Sequence, residues 1–300
     1  MAALEKILFI INPVSGSGAG KEVQHVLKSI LERQKHHTIE PVFKFTENTG
    51  HASSIAKENA DGPYDLIVAC GGDGTVNEVA SALYETEQVM GIFPIGSGNG
   101  LARHYRYPRS PKEWLQEIIQ GKVIHHDAAL INDNLAFNVS GVGFDAHVAN
   151  LFGKDGKRGF NSYLRLIVSE FNRYKPFRSE VKTESETHLL ESFMMPIAVA
   201  SQFGNNAFIA PDANTSDGMT DLKVIRKMPA IQVIPFAIRV FTKSIQGSSY
   251  STSLKSRHIS IQCDTAQPLH IDGEPKGSFH RFDIVSKQSA IKLRVPKNVK

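Results

Sequence analysis

The sequence has few cysteines and no long apolar run, which argues against a disulfide-rich or membrane-spanning protein. Its only cysteines, Cys70 and Cys263, are too few for a disulfide framework and favour a reducing compartment. The longest apolar stretch, residues 230–241, is too short for a bilayer crossing and contains a glutamine, a proline and an arginine. The first residues lack the basic start and apolar core of a signal peptide. We therefore expect a soluble, cytoplasmic protein.

Internal repeats and low-complexity segments are also missing from the sequence. The 300 residues are 41% hydrophobic and carry a formal net charge of +4. A chain of this length and composition can bury a large core, and we expect it to do so as two domains.

The most informative segment is a glycine-rich turn at residues 70–78, Cys-Gly-Gly-Asp-Gly-Thr-Val-Asn-Glu. It follows an apolar run at 65–69 that predicts a buried strand, and it leads into a predicted helix at 76–83. Such a turn offers backbone N–H groups and a helix dipole to a phosphate. Asp73 in its centre would repel phosphate unless a metal or a transferable proton takes part, so it indicates phosphoryl chemistry. The alternative is a structural turn with a solvated aspartate, because short glycine motifs recur by chance.

Two further glycine turns stand at similar junctions. Residues 12–16 follow a predicted strand at 7–11, and residues 94–100 follow one at 90–93; each turn leads into a helix. Three such junctions imply a parallel sheet whose turns gather at the carboxyl ends of the strands, where open sheets bind ligands. The first turn is not a Walker-type loop, because a glutamate follows Lys21.

The character of the chain changes near residue 123, from alternating strands and helices to short β-branched runs. We predict an α/β N-terminal nucleotide-binding domain with a parallel sheet, at 1–125, and a mainly antiparallel β-sandwich C-terminal domain, at 126–300, with a cleft between them. Whether the last strand returns to the first domain is left open. The predicted helices span 22–34, 52–59, 76–83 and 111–119, with helical insertions near 163–174 and 231–243. The predicted strands after residue 122 span 123–131, 135–139, 179–183, 195–201, 221–225, 259–262, 269–271, 282–285 and 291–295.

The motifs Asn-Pro-x-Ser-Gly, Gly-Gly-Asp-Gly-Thr-x-Asn-Glu and Pro-x-Gly-Ser-Gly-Asn, in this order, resemble the nucleotide-binding half of the diacylglycerol kinase and sphingosine kinase superfamily of lipid kinases. The resemblance extends from about residue 6 to residue 275 and includes bacterial soluble members. It implies an ATP- and magnesium-dependent lipid kinase that transfers the γ-phosphoryl group to a hydroxyl of diacylglycerol or a sphingoid base. The further matching segments are 45–47, 50–52, 138–145, 217–222 and 272–274.

The resemblance also implies which residues contact ATP. Where the family often has a basic residue after the first turn, this chain has Ser17, and we expect Lys21 to reach back in its place. Lys157 and Arg158 resemble basic residues that approach the phosphates from the second domain, the alternative being a solvated basic surface. The remaining implied ATP contacts are Asn12, Pro13, Val14, Ser15, Gly16, Thr46, Gly72, Asp73, Gly74, Thr75, Val76, Asn77, Glu78 and Ser97.

Catalysis requires a carboxylate that accepts the proton of the attacking hydroxyl. Asp272 and Glu274 lie two residues apart, so in an extended segment both point to the same side. The alternative is a hairpin turn with surface acids, because Asp-Gly is a common turn signal. The resemblance implies that this segment supplies the general base, with the choice between the two carboxylates open, and that Asp73 acts on magnesium and the phosphates.

Two metal positions follow from the resemblance. Asp127 matches an aspartate that holds the magnesium through water. Asp217, with the carbonyl groups of Thr220 and Leu222, matches a structural magnesium site, and Asp221 is an alternative ligand. The alternative to a metal site is an ordinary Asp-Gly turn. The twelve histidines show no spacing typical of a zinc site.

The lipid acceptor is indicated by two features. Asp145, by resemblance, hydrogen-bonds the acceptor's head group, and Gly100 replaces the acid that many diacylglycerol-type members carry, as in the sphingosine-kinase form. The segment 154–178 interleaves basic and apolar residues that could dock on anionic lipid, although a core helix with a solvated face is an equal alternative. We expect peripheral association with the inner membrane face and no nucleic-acid partner, and we leave homodimerisation open.

Two rival functions remain. NAD kinases and phosphofructokinases, which act on soluble metabolites, also use Gly-Gly-Asp-Gly, but the first turn and the late Asp-Gly-Glu argue against them. A non-catalytic nucleotide or lipid sensor could share the fold. The presence of Asp73, Asp272 and Glu274 favours an enzyme over a sensor.

Overall fold

The computed structural model describes residues 4–32, 39–152 and 160–299. The chain divides into two compact units: unit 1 comprises Met1–His126 and Ser289–Lys300, and unit 2 comprises Asp127–Gln288. The structure divides the chain after residue 126, one residue beyond the predicted boundary after residue 125. The final segment, which the predicted second domain included, belongs here to unit 1.

Unit 1 is built on a parallel sheet whose strands alternate with helices. Strand β1 pairs in parallel with β2 and β3, and β3 pairs in parallel with β4. Every residue of β3 and all but the first residue of β1 are buried, as expected for strands covered on both faces. The parallel α/β architecture predicted for this half is confirmed. The strands are β1 (Lys6–Ile11), β2 (Glu40–Phe45), β3 (Leu66–Gly71) and β4 (Val89–Pro94), and the helices are α1 (Gly20–Glu32), α2 (His51–Glu58), α3 (Asp73–Ala82), α4 (Gly100–His104) and α5 (Pro111–Ile119).

The end of the chain supplies one more strand to this sheet. The last residues of a long strand, Glu274–Val295, pair in parallel with β4. Its buried Arg294 donates hydrogen bonds to the carbonyl oxygens of Ile118 and Ile119, at 2.7 and 2.9 Å, and thereby satisfies the C-terminal end of α5. The Tyr107 hydroxyl donates to the Arg294 carbonyl at 2.6 Å. The final strand is therefore fixed to unit 1 by side chains as well as by the sheet.

Unit 2 is mainly antiparallel, as predicted. Its strands follow the order β12-β11-β10-β7-β13-β14, with β8 beside β13 and β9 beside β8. Strands β5 and β14 each run from one unit into the other. The elements are β5 (Lys122–Ile131), β6 (Asn134–Ala136), β7 (Val139–Gly143), α6 (Phe144–Leu151), α7 (Phe160–Phe171), β8 (Phe177–Lys182), β9 (Thr187–Ser192), β10 (Met194–Ala198), β11 (Thr220–Ile225), α8 (Ala230–Phe241), β12 (Ser251–Ser256), β13 (His258–Ile271) and β14 (Glu274–Val295).

Several strand predictions differ from the structure. The runs 259–262 and 269–271 form one strand, β13, whose register shifts between Gln262 and Gln267. The runs 282–285 and 291–295 both lie within β14, whereas 135–139 divides into β6 and β7. A shift of register breaks the alternation of apolar and polar residues, so a continuous strand looks like two. Strands β9 and β12 and helix α6 were not predicted, since β9 and β12 are largely exposed and lack an apolar run.

Helices α6, α7 and α8 pack on one hydrophobic cluster of unit 2. The rings of Phe144 and Phe193 stack at a centroid distance of 4.5 Å, and Phe171 meets Phe193 at 5.2 Å. Val233 and Phe236 of α8 pack against the same cluster. None of the helices in the described parts of the chain combines the length and apolar composition that a bilayer crossing requires.

Candidate active site

The three glycine turns of unit 1 converge at the carboxyl ends of its parallel strands. A Cβ atom on Gly96 would lie 2.6 Å from the Cα atom of Gly72, and one on Gly16 would lie 2.5 Å from the carbonyl oxygen of Ile95. The backbone N–H of Ile95 donates to the carbonyl of Gly71 at 2.9 Å. The turns are so close that only glycine fits at Gly16 and Gly96 without a shift of backbone.

Side chains also tie the turns together. Asp73, the first residue of α3, accepts a hydrogen bond from the backbone N–H of Gly100 at 2.7 Å. Its position at a helix N-terminus stabilises its negative charge. The Asn12 side-chain amide donates to the Thr75 hydroxyl at 3.2 Å. Asn12, Asp73 and Thr75, which sequence analysis assigned to ATP, therefore connect all three turns.

The Glu78 side chain hydrogen-bonds the N-terminal end of a neighbouring helix, α2. Its two carboxylate oxygens accept the backbone N–H groups of Gly50 and Ala52, at 2.9 and 3.1 Å, at the start of α2. Thr46, just before that helix, is buried, and its N–H donates to the carbonyl of Ile11 at 2.8 Å. Thr46 and Glu78 thus lie where the parallel strands end.

Two arginines that sequence analysis did not single out lie at the third turn. Arg103 Nε donates to the carbonyl of Gly98 and Arg109 Nη2 to that of Gly96, each at 2.9 Å. Burial lowers the pKa of the Arg103 guanidinium, the charge of Arg109 lowers it further, and Asp73 raises it. The signal in the sequence was two basic residues within about ten positions of a phosphate-type turn.

Lys21 and Ser97, two of the predicted ATP contacts, are exposed, and the predicted phosphate contacts at 157–158 lie outside the described residues.

In unit 2, Asp272 is part of a tight turn. The expectation of an extended segment with two carboxylates pointing the same way is wrong, because Asp272 and Gly273 have φ values of 48° and 95°. These residues form the two-residue hairpin between β13 and β14, for which Asp-Gly suits the positive φ angles. The Asp272 carboxylate is buried and accepts the N–H groups of Phe137 and Asn138, at 2.8 and 3.0 Å, whereas Glu274 is exposed.

A buried histidine lies between this hairpin and Asp145. The N–H of Gly273 donates to His270 Nδ1 at 3.1 Å, so we assign the proton of a neutral ring to Nε2, which is 3.4 Å from Asp145 Oδ2. Asp145 Oδ1 accepts the N–H of Ala146 at 2.9 Å. Asp145 is predicted from the sequence and His270 is not, because the only signal for His270 is its place two residues before Asp272.

Asp127, which the resemblance predicts to hold magnesium through water, bonds to a backbone turn in the structure. Its side chain accepts the N–H of Gly218 at 2.7 Å, and its own N–H donates to the carbonyl of Thr215 at the same distance. The residue is 1% exposed. A carboxylate so deeply buried and already bonded positions the loop before β11.

The predicted structural magnesium site is next to an ammonium group. Lys255 Nζ lies 2.6 Å from Asp217 Oδ2 and 3.5 Å from Asp221 Oδ2. Thr220 and Leu222 are buried in β11, which follows this turn. Within the described ranges there is no group of three or more His, Cys, Asp or Glu residues that could hold a metal ion. The Lys255 ammonium group therefore supplies the positive charge beside Asp217 in the structure, and the metal site with the carbonyl groups of Thr220 and Leu222 stays a prediction.

Comparison with known proteins gave matches over most of the chain. The model described as "Diacylglycerol kinase catalytic domain" matches residues 6–131. The model described as "YegS C-terminal NAD kinase beta sandwich-like domain" matches residues 138–288. The two regions fall in the two halves that differ in sheet type.

Individual relatives agree with the family models. The chain is 24% identical to a "Probable lipid kinase YegS-like" of Chromohalobacter salexigens, over 92% of this chain and 89% of the relative. It is 25% identical to the "Diacylglycerol kinase" of Bacillus subtilis, over 91% of each chain. The crystal structure of a putative diacylglycerol kinase from Bacillus anthracis str. Sterne matches the fold with a TM-score of 0.82, at 21% identity, over 100% of this chain and 98% of that one.

Proposed function

Because the chain belongs to the lipid kinase family that combines a diacylglycerol kinase catalytic domain with a YegS-type C-terminal domain, we propose that it transfers the γ-phosphoryl group of ATP to a lipid hydroxyl. The family identifies the chain as a kinase. The observation that carries the rest is the convergence of three glycine turns around Asp73 in unit 1.

The nucleotide phosphates would bind at these turns. Phosphoryl transfer depends mainly on positioning and on neutralising the charge of the transferring group. Backbone N–H groups and the N-terminal ends of α3 and α4 supply partial positive charge, and Arg103 and Arg109 supply full charges at the third turn. The arginines provide the cations that the first turn, with Ser17, lacks.

Magnesium fits this part of unit 1. It usually binds through one or two carboxylates and the phosphates themselves, and it keeps several waters, so it needs no preformed cluster of ligands. Asp73 is the carboxylate at the turns, and a Cβ atom on Gly98 would lie 2.9 Å from its Oδ2. When bound, the metal neutralises charge on the phosphates.

The acceptor hydroxyl must lose a proton as its oxygen bonds to the γ-phosphorus and the bond to the ADP oxygen breaks. We assign this proton to a carboxylate of the Asp272–Glu274 segment. Asp272 is buried and accepts two backbone N–H bonds, which fix the position of its carboxylate, whereas Glu274 is exposed. We assign Asp145 to the acceptor's head group, with His270 as the residue that positions it.

The test is an assay of purified protein with radiolabelled ATP and mixed micelles of diacylglycerol, a sphingoid base, ceramide or monoacylglycerol, with NAD as the soluble alternative. We expect label in at least one lipid, dependence on magnesium, and loss of most activity in Asp73→Asn, which is nearly isosteric. Label in NAD and in no lipid would contradict the proposal, and near-normal turnover of Asp73→Asn would make this carboxylate structural.

A further inference from the structure

Helix α8 is apolar on the side that faces away from unit 2 as well as on the side that faces its core. Val233, Phe236 and Val240 pack against the hydrophobic cluster, yet none of the twelve residues of the helix is buried. A helix on a water-exposed surface normally carries polar residues on its outer side. The outward-facing side chains, with their exposed fractions, are Ile231 (81%), Ile234 (71%), Ile238 (57%) and Phe241 (46%).

These four side chains form one stripe. Steps of three and four residues return to the same side of an α-helix, and the stripe runs along the whole length of α8. Scattered exposed apolar residues need no explanation, but a contiguous set of four large ones on one helix indicates a surface that is covered in some functional state.

The charges around the stripe favour an anionic lipid surface over a protein. Helix α8 contains no aspartate or glutamate. Arg239 lies in its last turn, and Lys243 lies two residues past its C-terminal end. Lys243 lies over the ring of Phe208, with its ammonium 4.3 Å from the ring centre. An apolar face with cations at its edge matches a bilayer whose head groups are negative and whose interior is apolar.

Helix α7, which lies in the segment predicted to dock, is a weaker candidate. Among its described side chains the exposed large apolar ones are only two, Leu164 and Val168, one turn apart, and Arg165 and Ser169 lie beside them. The Arg173 guanidinium that follows is paired with Glu170 at 2.9 Å. Part of that segment, 154–159, lies outside the described residues. The sequence predicts a helix near 231–243 but does not indicate which of its apolar residues face solvent.

We propose that α8 docks on an anionic membrane, with its outward stripe at the boundary between head groups and acyl chains. This inference rests on the proposed function, since it brings unit 2 to the surface that contains the lipid acceptor. Helix α6, which carries Asp145, packs on the same hydrophobic cluster as α8. Docking through α8 therefore fixes the helix of the proposed head-group residue relative to the membrane.

The first test is co-sedimentation of the full chain with vesicles of phosphatidylcholine and phosphatidylglycerol, without ATP. We expect binding that weakens with salt, and at least about tenfold weaker binding for Ile234→Glu with Ile238→Glu. The matched control is Leu189→Glu on β9 of the same unit, where the leucine is 80% exposed, and it should bind like the parent. Equal binding of the double variant and the parent would overturn the proposal.

A second variant reports insertion directly and does not depend on loss of binding. Trp114 is the only tryptophan and is fully buried in unit 1, so it gives a constant background. In Ile234→Trp, we expect a shift of fluorescence to shorter wavelength on anionic vesicles and quenching by brominated acyl chains. In Leu189→Trp, neither change is expected. An unshifted Ile234→Trp spectrum on vesicles that bind the protein would also overturn the proposal.

Two further measurements separate this inference from the kinase proposal and from self-association. The double variant should retain activity on a short-chain acceptor dispersed in water and lose it on long-chain acceptor in vesicles. A parent that binds vesicles through α8 but phosphorylates no lipid would refute the kinase function and leave docking intact. A parent dimer in sedimentation analysis that the double variant abolishes, without any vesicle binding, would assign the stripe to a second copy of the chain and overturn docking.

Discussion

The candidate site residues of the two units are constrained by different physical factors. In unit 1, the turns around Asp73 are limited by space, since a Cβ atom on Gly96 would meet the backbone of Gly72. In unit 2, the Asp272–Gly273 hairpin has open space, because a Cβ atom on Gly273 would meet nothing within 4 Å. There the constraint is a buried carboxylate bonded to backbone N–H groups. The two regions should therefore respond differently to equivalent substitutions.

The largest effect is expected from the carboxylates of unit 2. Whichever of Glu274→Gln and Asp272→Asn removes the general base should lower turnover by about a hundred- to ten-thousandfold, and the other variant should lower it less. ATP affinity should change little in both. Only Asp272→Asn should also lower the melting temperature, because an amide cannot accept both N–H bonds and loses about 1–3 kcal/mol. Steady-state kinetics, ATP titration and thermal unfolding measure the three quantities. Equal losses of rate and ATP binding in both variants would show that the segment holds the nucleotide or the fold.

A matched pair of glycine variants tests the comparison itself. Gly96→Ala should weaken ATP binding about ten- to a hundredfold, because the added methyl group forces backbone apart at a cost of about 1–3 kcal/mol. Gly273→Ala should leave ATP binding unchanged and lower stability by about 1–2 kcal/mol, the cost of a left-handed conformation. Calorimetric ATP titration and thermal unfolding distinguish the two. The reverse pattern would contradict the assignment of the nucleotide to unit 1.

Substitution of the arginines at the third turn should weaken ATP binding less than Gly96→Ala does. Arg103→Gln and Arg109→Gln should each weaken ATP binding about tenfold, the contribution of a hydrogen bond to a charged group. Adenosine, which has no phosphates, should bind both variants like the parent. Lys28→Gln, on the exposed side of α1, is the control for a general loss of positive charge. Equal weakening of ATP and adenosine would mean that the arginines only support the loop.

The smallest effect is expected at Lys255. Its closer ion pair, with Asp217 at 2.6 Å, is partly exposed, so the loss of that pair in Lys255→Met should cost at most about 1 kcal/mol in unfolding free energy. Magnesium without ATP should leave the melting temperature of the parent unchanged and raise that of Lys255→Met. Lys182→Met, which breaks a surface pair with Glu180, should show no response to magnesium. A parent stabilised by magnesium would show that a metal displaces the ammonium group.

The comparison also explains what could be predicted from the sequence. A turn limited by space needs glycines at fixed local positions, so all three turns and the parallel sheet were evident. Contacts between residues that are distant in sequence leave no such pattern. Asp272 accepts the N–H of Phe137, 135 positions away, and Lys255 of β12 pairs with Asp217, which precedes the neighbouring strand β11. The exposed stripe of α8 was missed for a related reason. The residue type alone does not show which isoleucines of α8 face solvent and which face the core.

The return of the chain to unit 1 at Ser289 has a consequence for its synthesis. The ribosome releases all three glycine turns by residue 100. The strand segment that pairs with β4, and the Arg294 side chain that binds the end of α5, emerge only after residue 288. Until then the β4 edge is unpaired, a state that invites aggregation. A chain stopped at residue 288 would thus contain the candidate nucleotide site but lack the strand that completes its sheet.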